Sequence, residues 1–232
     1  MIKSNNLVII TYHRGINYGG FLQAYSLQSF FRKRGLNVYF LNLYSYKEII
    51  RDLYYAVKTK NILRLTKNCI KVLKFFFLRK KYFKEISLKE CNRSFINCPI
   101  IFGSDELWNI ENPIFVNNNF KFFGNNVISD KKYTYAISIG NSSYKKLDQN
   151  FVIKESLNHF KHISVRDGYT KKFIESHISD NITHDLDPTY LIKPPSNTVI
   201  HQKYILIYST LNLEKYSSMI SDFAKSNDLS IY

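Results

Sequence analysis

The first 42 residues constrain the fold more tightly than any other part of the chain. Leu7-Val8-Ile9-Ile10-Thr11 is a short apolar, β-branched run of the kind that forms a buried strand. A polar loop follows from Tyr12 to Gly19. Phe21, Leu22, Tyr25, Leu27, Phe30 and Phe31 then recur at helical spacing up to Arg34, and Gly35 is placed to end that helix. Asn37–Asn42 reads as a second strand. Strand, loop, helix and strand in this order build parallel sheets, because the crossover brings the chain back in its original direction with a right-handed sense.

The rest of the chain repeats the theme. Pro99–Phe102 reads as a strand leading into Gly103-Ser104-Asp105, Tyr133–Ser138 as one leading into Gly140-Asn141-Ser142, and His162–Val165 as one leading into Arg166-Asp167. Phe151–Phe160 is helix-like, and so is Asp167–His177, with Asp167 in the first turn where a carboxylate suits the helix dipole. Lys193-Pro194-Pro195-Ser196-Asn197 reads as a linker. Beyond it come a strand (Tyr204–Tyr208), a helix (Leu213–Lys225) and the start of another strand (Leu229–Tyr232). This pattern predicts one α/β domain over residues 1–194 and the incomplete beginning of a second over 195–232. The alternative is a tail that adds strands to the first sheet.

Composition supports a packed protein. Hydrophobic residues make up 45% and charged ones 22%, with only 8 Gly and 5 Pro, which argues against disorder and against a fibrous chain. Three cysteines, Cys69, Cys91 and Cys98, are an odd and low number that fits a reducing compartment, and they read as small buried side chains. No signal-peptide pattern opens the chain, and the densest apolar run, Phe75–Leu78, ends in Arg79-Lys80-Lys81. The expected location is therefore the cytoplasm, or the inner face of the membrane.

The net charge of +15 points to anionic partners: nucleic acid, acidic lipid or phosphorylated small molecules. Much of it lies in Lys47–Glu90, which carries 13 Lys/Arg and 4 Asp/Glu. Ile50, Leu53, Tyr54 and Val57 share one helical face there. Ile62, Leu65, Cys69, Val72, Leu73 and Phe76 share another. This basic amphipathic stretch reads either as a core-packing face with a solvated basic back or as a peripheral membrane surface facing anionic lipid. No helix-turn-helix, RNP or zinc-finger pattern supports nucleic acid.

In open parallel sheets ligands bind beyond the carboxyl ends of the strands. The polar clusters all fall there: Asn17-Tyr18-Gly19-Gly20, Gly103-Ser104-Asp105, Gly140-Asn141-Ser142, Arg166-Asp167 and Asp185-Leu186-Asp187-Pro188. The first is a glycine loop feeding a helix N-terminus, suited to phosphate or carboxylate or simply to close packing. Asp105 reads as a general acid/base or as a helix cap. Trp108 is a packing residue or one wall of a sugar pocket. Arg166 closes an apolar strand and can fork onto an anion, or pair with Asp167. Asp187-Pro188-Thr189 reads as a rigid turn, more structural than catalytic. The six histidines show no metal-ligand spacing.

In this order the clusters resemble the polysaccharide pyruvyl transferase family. Asn17-Tyr18-Gly19-Gly20-Phe21-Leu22-Gln23-Ala24-Tyr25-Ser26-Leu27 is similar to its NYG loop and LQAYAL-like helix. Gly103-Ser104-Asp105-Glu106-Leu107-Trp108-Asn109 is similar to GSDQVWN, with Glu106-Leu107 in place of Gln-Val. Tyr135-Ala136-Ile137-Ser138-Ile139-Gly140, Ser164-Val165-Arg166-Asp167 and Asp187-Pro188-Thr189-Tyr190-Leu191 resemble the YAASFG, SVRE and DPT-L motifs.

The resemblance implies a Rossmann-like parallel sheet, the first half of a glycosyltransferase-B-like two-domain architecture with its second domain truncated. It implies transfer of the enolpyruvyl group of phosphoenolpyruvate to a sugar diol of a bacterial surface polysaccharide, leaving a pyruvate ketal. No metal or redox cofactor is implied. Arg166 becomes an anchor for the donor and Asp105 a proton handler. Asn17, Tyr18, Gly19, Ser104, Trp108, Gly140 and Asn141 become candidate substrate-binding residues. The implied partner is a sugar or polysaccharide acceptor, free or lipid-linked. Two other readings stay open: a nucleotide-sugar glycosyltransferase of similar architecture, and a non-catalytic module binding anionic lipid or RNA through residues 47–90.

Overall fold

The computed structural model describes residues 5–44, 50, 53–54, 58, 62–112, 120–178, 182–193, 203–207, 209 and 213–232. The chain forms two compact units, Met1–Ile192 and Lys193–Tyr232. In the first, β1 (Asn6–Ile10), α1 (Tyr18–Arg32) and β2 (Asn37–Asn42) are followed by a long helix α2 (Ile62–Tyr82), β3 (Glu85–Ser87) and α3 (Leu88–Ser94). Then come β4 (Ile100–Phe102), β5 (Lys132–Thr134), α4 (Tyr144–Asp148), α5 (Phe151–Leu157), β6 (Phe160–Val165), α6 (Gly168–Glu175) and β7 (Ile182–His184). A 3-10 turn, Pro188–Leu191, follows β7.

The strands form one parallel sheet in the order β3-β2-β1-β4-β5-β6-β7. From β1 the chain winds outward through β2 to β3. It then returns to lay β4 on the other side of β1 and winds outward the opposite way. That reversal leaves a crevice between the loops after β1 and β4, the place where open sheets of this kind hold ligands.

Alternation along β1 builds both faces of the core. Leu7 and Ile9 join Val38, Phe40 and the α1 residues Phe21, Ala24 and Leu27. Val8 and Ile10 join Leu41 and, from the other helical layer, Ile153, Leu157, Phe173 and Ile174. Each such side chain stabilises the fold by roughly 1.5–3 kcal/mol on leaving water. Cys91 and Cys98 are buried, as expected for small apolar side chains, but Cys69 is exposed.

Several elements differ from the sequence expectation. The run expected as a strand from Tyr133 to Ser138 pairs regularly only over Lys132–Thr134, because Ala136 adopts φ 47° and breaks the extended chain. Asp167 sits before α6 as its N-cap, not in its first turn, and accepts from Thr170 N at 2.7 Å. The short edge strands β3 and β7 went unforeseen: neither carries enough apolar residues to announce itself, and Ile86 is the one buried residue of β3.

The core-facing side of α2 is also not the one expected. Ile62 (72% exposed) and Leu73 (56%) point to solvent along with Cys69 and Phe76. The helix instead packs through Phe75, which meets Tyr18 and Phe21 of α1, and through Tyr82, which meets Phe21 and Tyr25. Val57 and most of residues 45–61 lie outside the described residues; Ile50, Leu53 and Tyr54 are exposed.

The second unit contains β8 (Tyr204–Ile205), α7 (Ser217–Ser226) and β9 (Ser230–Ile231). The two strands pair in parallel, so this too is a strand-helix-strand unit. A 3-10 turn, Glu214–Tyr216, precedes α7 where the sequence suggested continuous helix from Leu213. Among the described residues no helix is long and apolar enough to cross a membrane.

Candidate active site

The sheet delivers charged side chains to the ends of β4, β6 and β7. Beyond Phe102 the chain turns sharply at Gly103, whose φ is 127°. A Cβ there would lie 2.1 Å from the Tyr135 carbonyl oxygen, so only glycine fits. The next two residues are held by the sheet. Ser104 donates through Oγ to the Ala136 carbonyl at 2.9 Å, and its own carbonyl accepts from Thr11 Oγ1 at 3.0 Å. Asp105 has φ 104°, a sparsely populated conformation for a non-glycine residue, and forms an isolated parallel bridge with Ile137. No helix begins at Asp105, so it caps none; its Oδ1 accepts from the adjacent Glu106 N at 2.8 Å.

Arg166 emerges one residue past β6 and reaches a carboxylate beyond the neighbouring β7 on one side and, across β5, one beyond β4 on the other. Nη1 lies 3.5 Å from Asp187 Oδ2, and Nη2 lies 4.0 Å from Asp105 Oδ1. Asp167, the sequence-adjacent partner, is instead committed to Thr170, whose N and Oγ1 both donate to it. Asp187 does more than make a rigid turn. It caps the Pro188–Leu191 turn through Thr189 N and Oγ1, and it accepts from Gln23 Nε2 on α1. Sequence reasoning did not single out Gln23. Its signal, an amide on the inward side of a helix, is visible only once the helix has been oriented.

The two carboxylates beside Arg166 are driven in opposite directions. Burial raises the Asp105 carboxyl above its ordinary value of 3.8, and the Glu106 hydrogen bond and Arg166 do not fully offset it. Burial would also raise Asp187, but the bonds from Thr189 and Gln23, with Arg166, hold it below that value. A pair of acids split in this way is a recurrent acid/base arrangement: one stays protonated to higher pH while the other stays ionised.

The other candidates fall into separate groups. Asn17 caps α1, its Oδ1 accepting from Gly19 N at 2.8 Å, and half-exposed Tyr18 packs against Phe75 of α2. Gly140 and Asn141 belong to a network beside Asp105: Asn109 Nδ2 donates to both Glu106 Oε2 and Asn141 Oδ1, each at 2.9 Å. Gly140 has φ 58°, and a Cβ there would strike Asn109 Nδ2 at 2.4 Å. Trp108 is 0% exposed and stacks on Phe123, with Nε1 donating to the Phe122 carbonyl at 2.8 Å. It is a core residue and forms no pocket wall.

Another cluster was not foreseen. His13 and Arg14, in the loop after β1, converge on Glu85 of β3: His13 Nε2 lies 3.0 Å from Oε1, and Arg14 forks onto both oxygens at 3.1 and 2.9 Å. Burial acts to raise the Glu85 carboxyl, yet the hydrogen bonds from His13 and Arg14 bring it down to about 2. A cavity of about 620 Å³ lies at the opposite, N-terminal end of β4–β6, lined by Asn97, Lys132, His159 and Lys161 among others, far from these groups in the fold.

A family model described as polysaccharide pyruvyl transferase matches residues 17–231. No curated protein and no solved structure matches the chain.

Proposed function

The chain belongs to the polysaccharide pyruvyl transferase family, and we propose that it moves a pyruvyl group from phosphoenolpyruvate onto two hydroxyls of a bacterial surface saccharide. The observation that carries this reading is Arg166 set between two carboxylates of opposite tendency at the crevice edge. Its contacts to them are long, so much of its donor capacity is left for the carboxylate or phosphate of the donor.

In this reading Asp105, whose carboxyl burial biases toward the neutral form, delivers a proton to the donor methylene and C2 becomes cationic. One sugar hydroxyl forms a C–O bond to C2. The bond from C2 to the phosphate oxygen then breaks, and a second hydroxyl closes the ketal. The two hydroxyl protons balance the one gained by the methyl group and the one that leaves on inorganic phosphate. Asp187 stays ionised and holds the guanidinium in place. Gly140, Asn141 and the α1 loop at Asn17-Tyr18-Gly19 flank the saccharide.

Calorimetric titration with phosphoenolpyruvate tests the reading. Arg166→Ala is expected to weaken binding by about 10- to 100-fold, the worth of one charge-assisted hydrogen bond. Unchanged affinity in the variant, or binding of a nucleotide sugar in place of phosphoenolpyruvate, would overturn it.

A further inference from the structure

Helix α2 carries seven Lys/Arg and no acid over Ile62–Tyr82. Its inner side is occupied by Phe75, Leu78 and Tyr82. On the opposite side Ile62, Leu63, Ile70, Leu73, Phe76 and Phe77 form an apolar stripe interrupted by Thr66, with Phe77 64% exposed. From Ile62 to Phe77 the stripe runs for about 22 Å at 1.5 Å per residue. Lys67, Lys74 and Lys81 recur every seven residues and border one side of it, all exposed. A helix that gives its core only one side and shows the solvent apolar residues edged with lysines has the form of an interfacial helix.

The stripe ends at a pocket. Lys80 continues the line of Leu73 and Phe76, and it lines a cavity of about 330 Å³ together with Arg14, Phe76, Arg79, Phe83 and Glu85. Three cations face one carboxylate there. Glu85 is committed to Arg14 and His13, and Arg79 donates to the Arg14 carbonyl. Burial lowers the Arg79 pKa and the adjacent Arg14 charge lowers it further, while Glu85 acts to raise it.

We propose that the outer side of α2 is a docking surface for an anionic lipid bilayer, with the Arg79–Lys80 pocket receiving a lipid phosphate. The apolar stripe lies in the acyl boundary, and the lysine border lies among the headgroups. Building on the reading above, this brings the crevice to membrane-held acceptors, but its test does not depend on donor chemistry.

The whole chain is sedimented with phosphatidylglycerol vesicles and with phosphatidylcholine vesicles. Binding to the first is expected to exceed binding to the second and to fall as salt rises. Phe77→Asp and Lys80→Glu, both exposed sites, should each weaken it by about tenfold or more. The border variant Lys67→Glu should weaken it less, and all three should keep the phosphoenolpyruvate affinity of the parent. Equal binding to both vesicles, or no effect of Phe77→Asp, overturns the docking surface. A Lys80→Glu loss no larger than that of Lys67→Glu overturns the pocket. RNA bound in preference to vesicles, or a dimer that Phe77→Asp dissociates, overturns the lipid as occupant.

Discussion

Arg14 meets Glu85 through two contacts of 3.1 and 2.9 Å, whereas Arg166 stands 3.5 Å from Asp187 and 4.0 Å from Asp105. Both set a guanidinium against carboxylate, and the geometry is opposite. In the first cluster one acid takes a fork from Arg14 and a bond from His13, and both of its oxygens are engaged. In the second, one arginine is shared loosely between two acids, one of which is pushed toward its neutral form. A satisfied ion pair fixes structure; an unsatisfied arginine at a crevice is available to a ligand.

The sharpest way to break this contrast is Asp105→Asn. If Asp105 is the proton donor, turnover should fall by about 10²–10⁴-fold. In the parent, turnover should decline as pH rises through the elevated Asp105 pKa. The stability consequence has the opposite sign from an ordinary ion pair. A carboxyl raised in the folded state costs stability as pH rises above its ordinary 3.8, so the variant should be as stable as the parent near neutrality or slightly more so. A urea titration beside a rate–pH profile reads both, and a large loss of stability with intact turnover would assign Asp105 to structure.

Glu85→Gln should behave the other way. With the folded carboxyl held at about 2 against an ordinary 4.5, the pair contributes stability that is complete above pH 4.5 and lost as pH falls toward 2. Removing the charge should cost about 2–3 kcal/mol at pH 7 by chemical denaturation, with the gap to the parent closing in acid, and should leave donor affinity alone. The smallest expected effect is that of Gln23→Leu. Loss of its bond to Asp187 should cost about 1 kcal/mol and weaken the donor site a few-fold by calorimetry, because Asp187 then holds Arg166 less firmly.

Arg166 and Asp105 were legible in the sequence because each ends an apolar run, and the parallel order of the strands places such ends together. Their partners were not. Gln23 and Asp187 are 164 residues apart, and His13 and Glu85 are 72 apart; only the winding of the sheet joins them. Trp108 was read by residue type, and its burial depends on Phe123 and Phe160 arriving from distant segments. On α2 the periodicity shows apolar residues on both sides of the helix, and nothing local says which side the core will choose. The aromatic contacts of Phe75 with Tyr18 and Phe21 decide it.

Ile137 gives the crevice a property that its side chains do not. The Ile137 carbonyl accepts from Arg166 N at 2.9 Å, and the next residue, Ser138, donates through N to the Asp105 carbonyl at 3.0 Å. Acid and arginine are thus hung from the two sides of one peptide group, the one that joins Ile137 to Ser138. The gauge between them is set by main chain and survives any replacement that leaves the backbone in place. Side chains around the crevice can therefore be replaced without respacing Asp105 and Arg166.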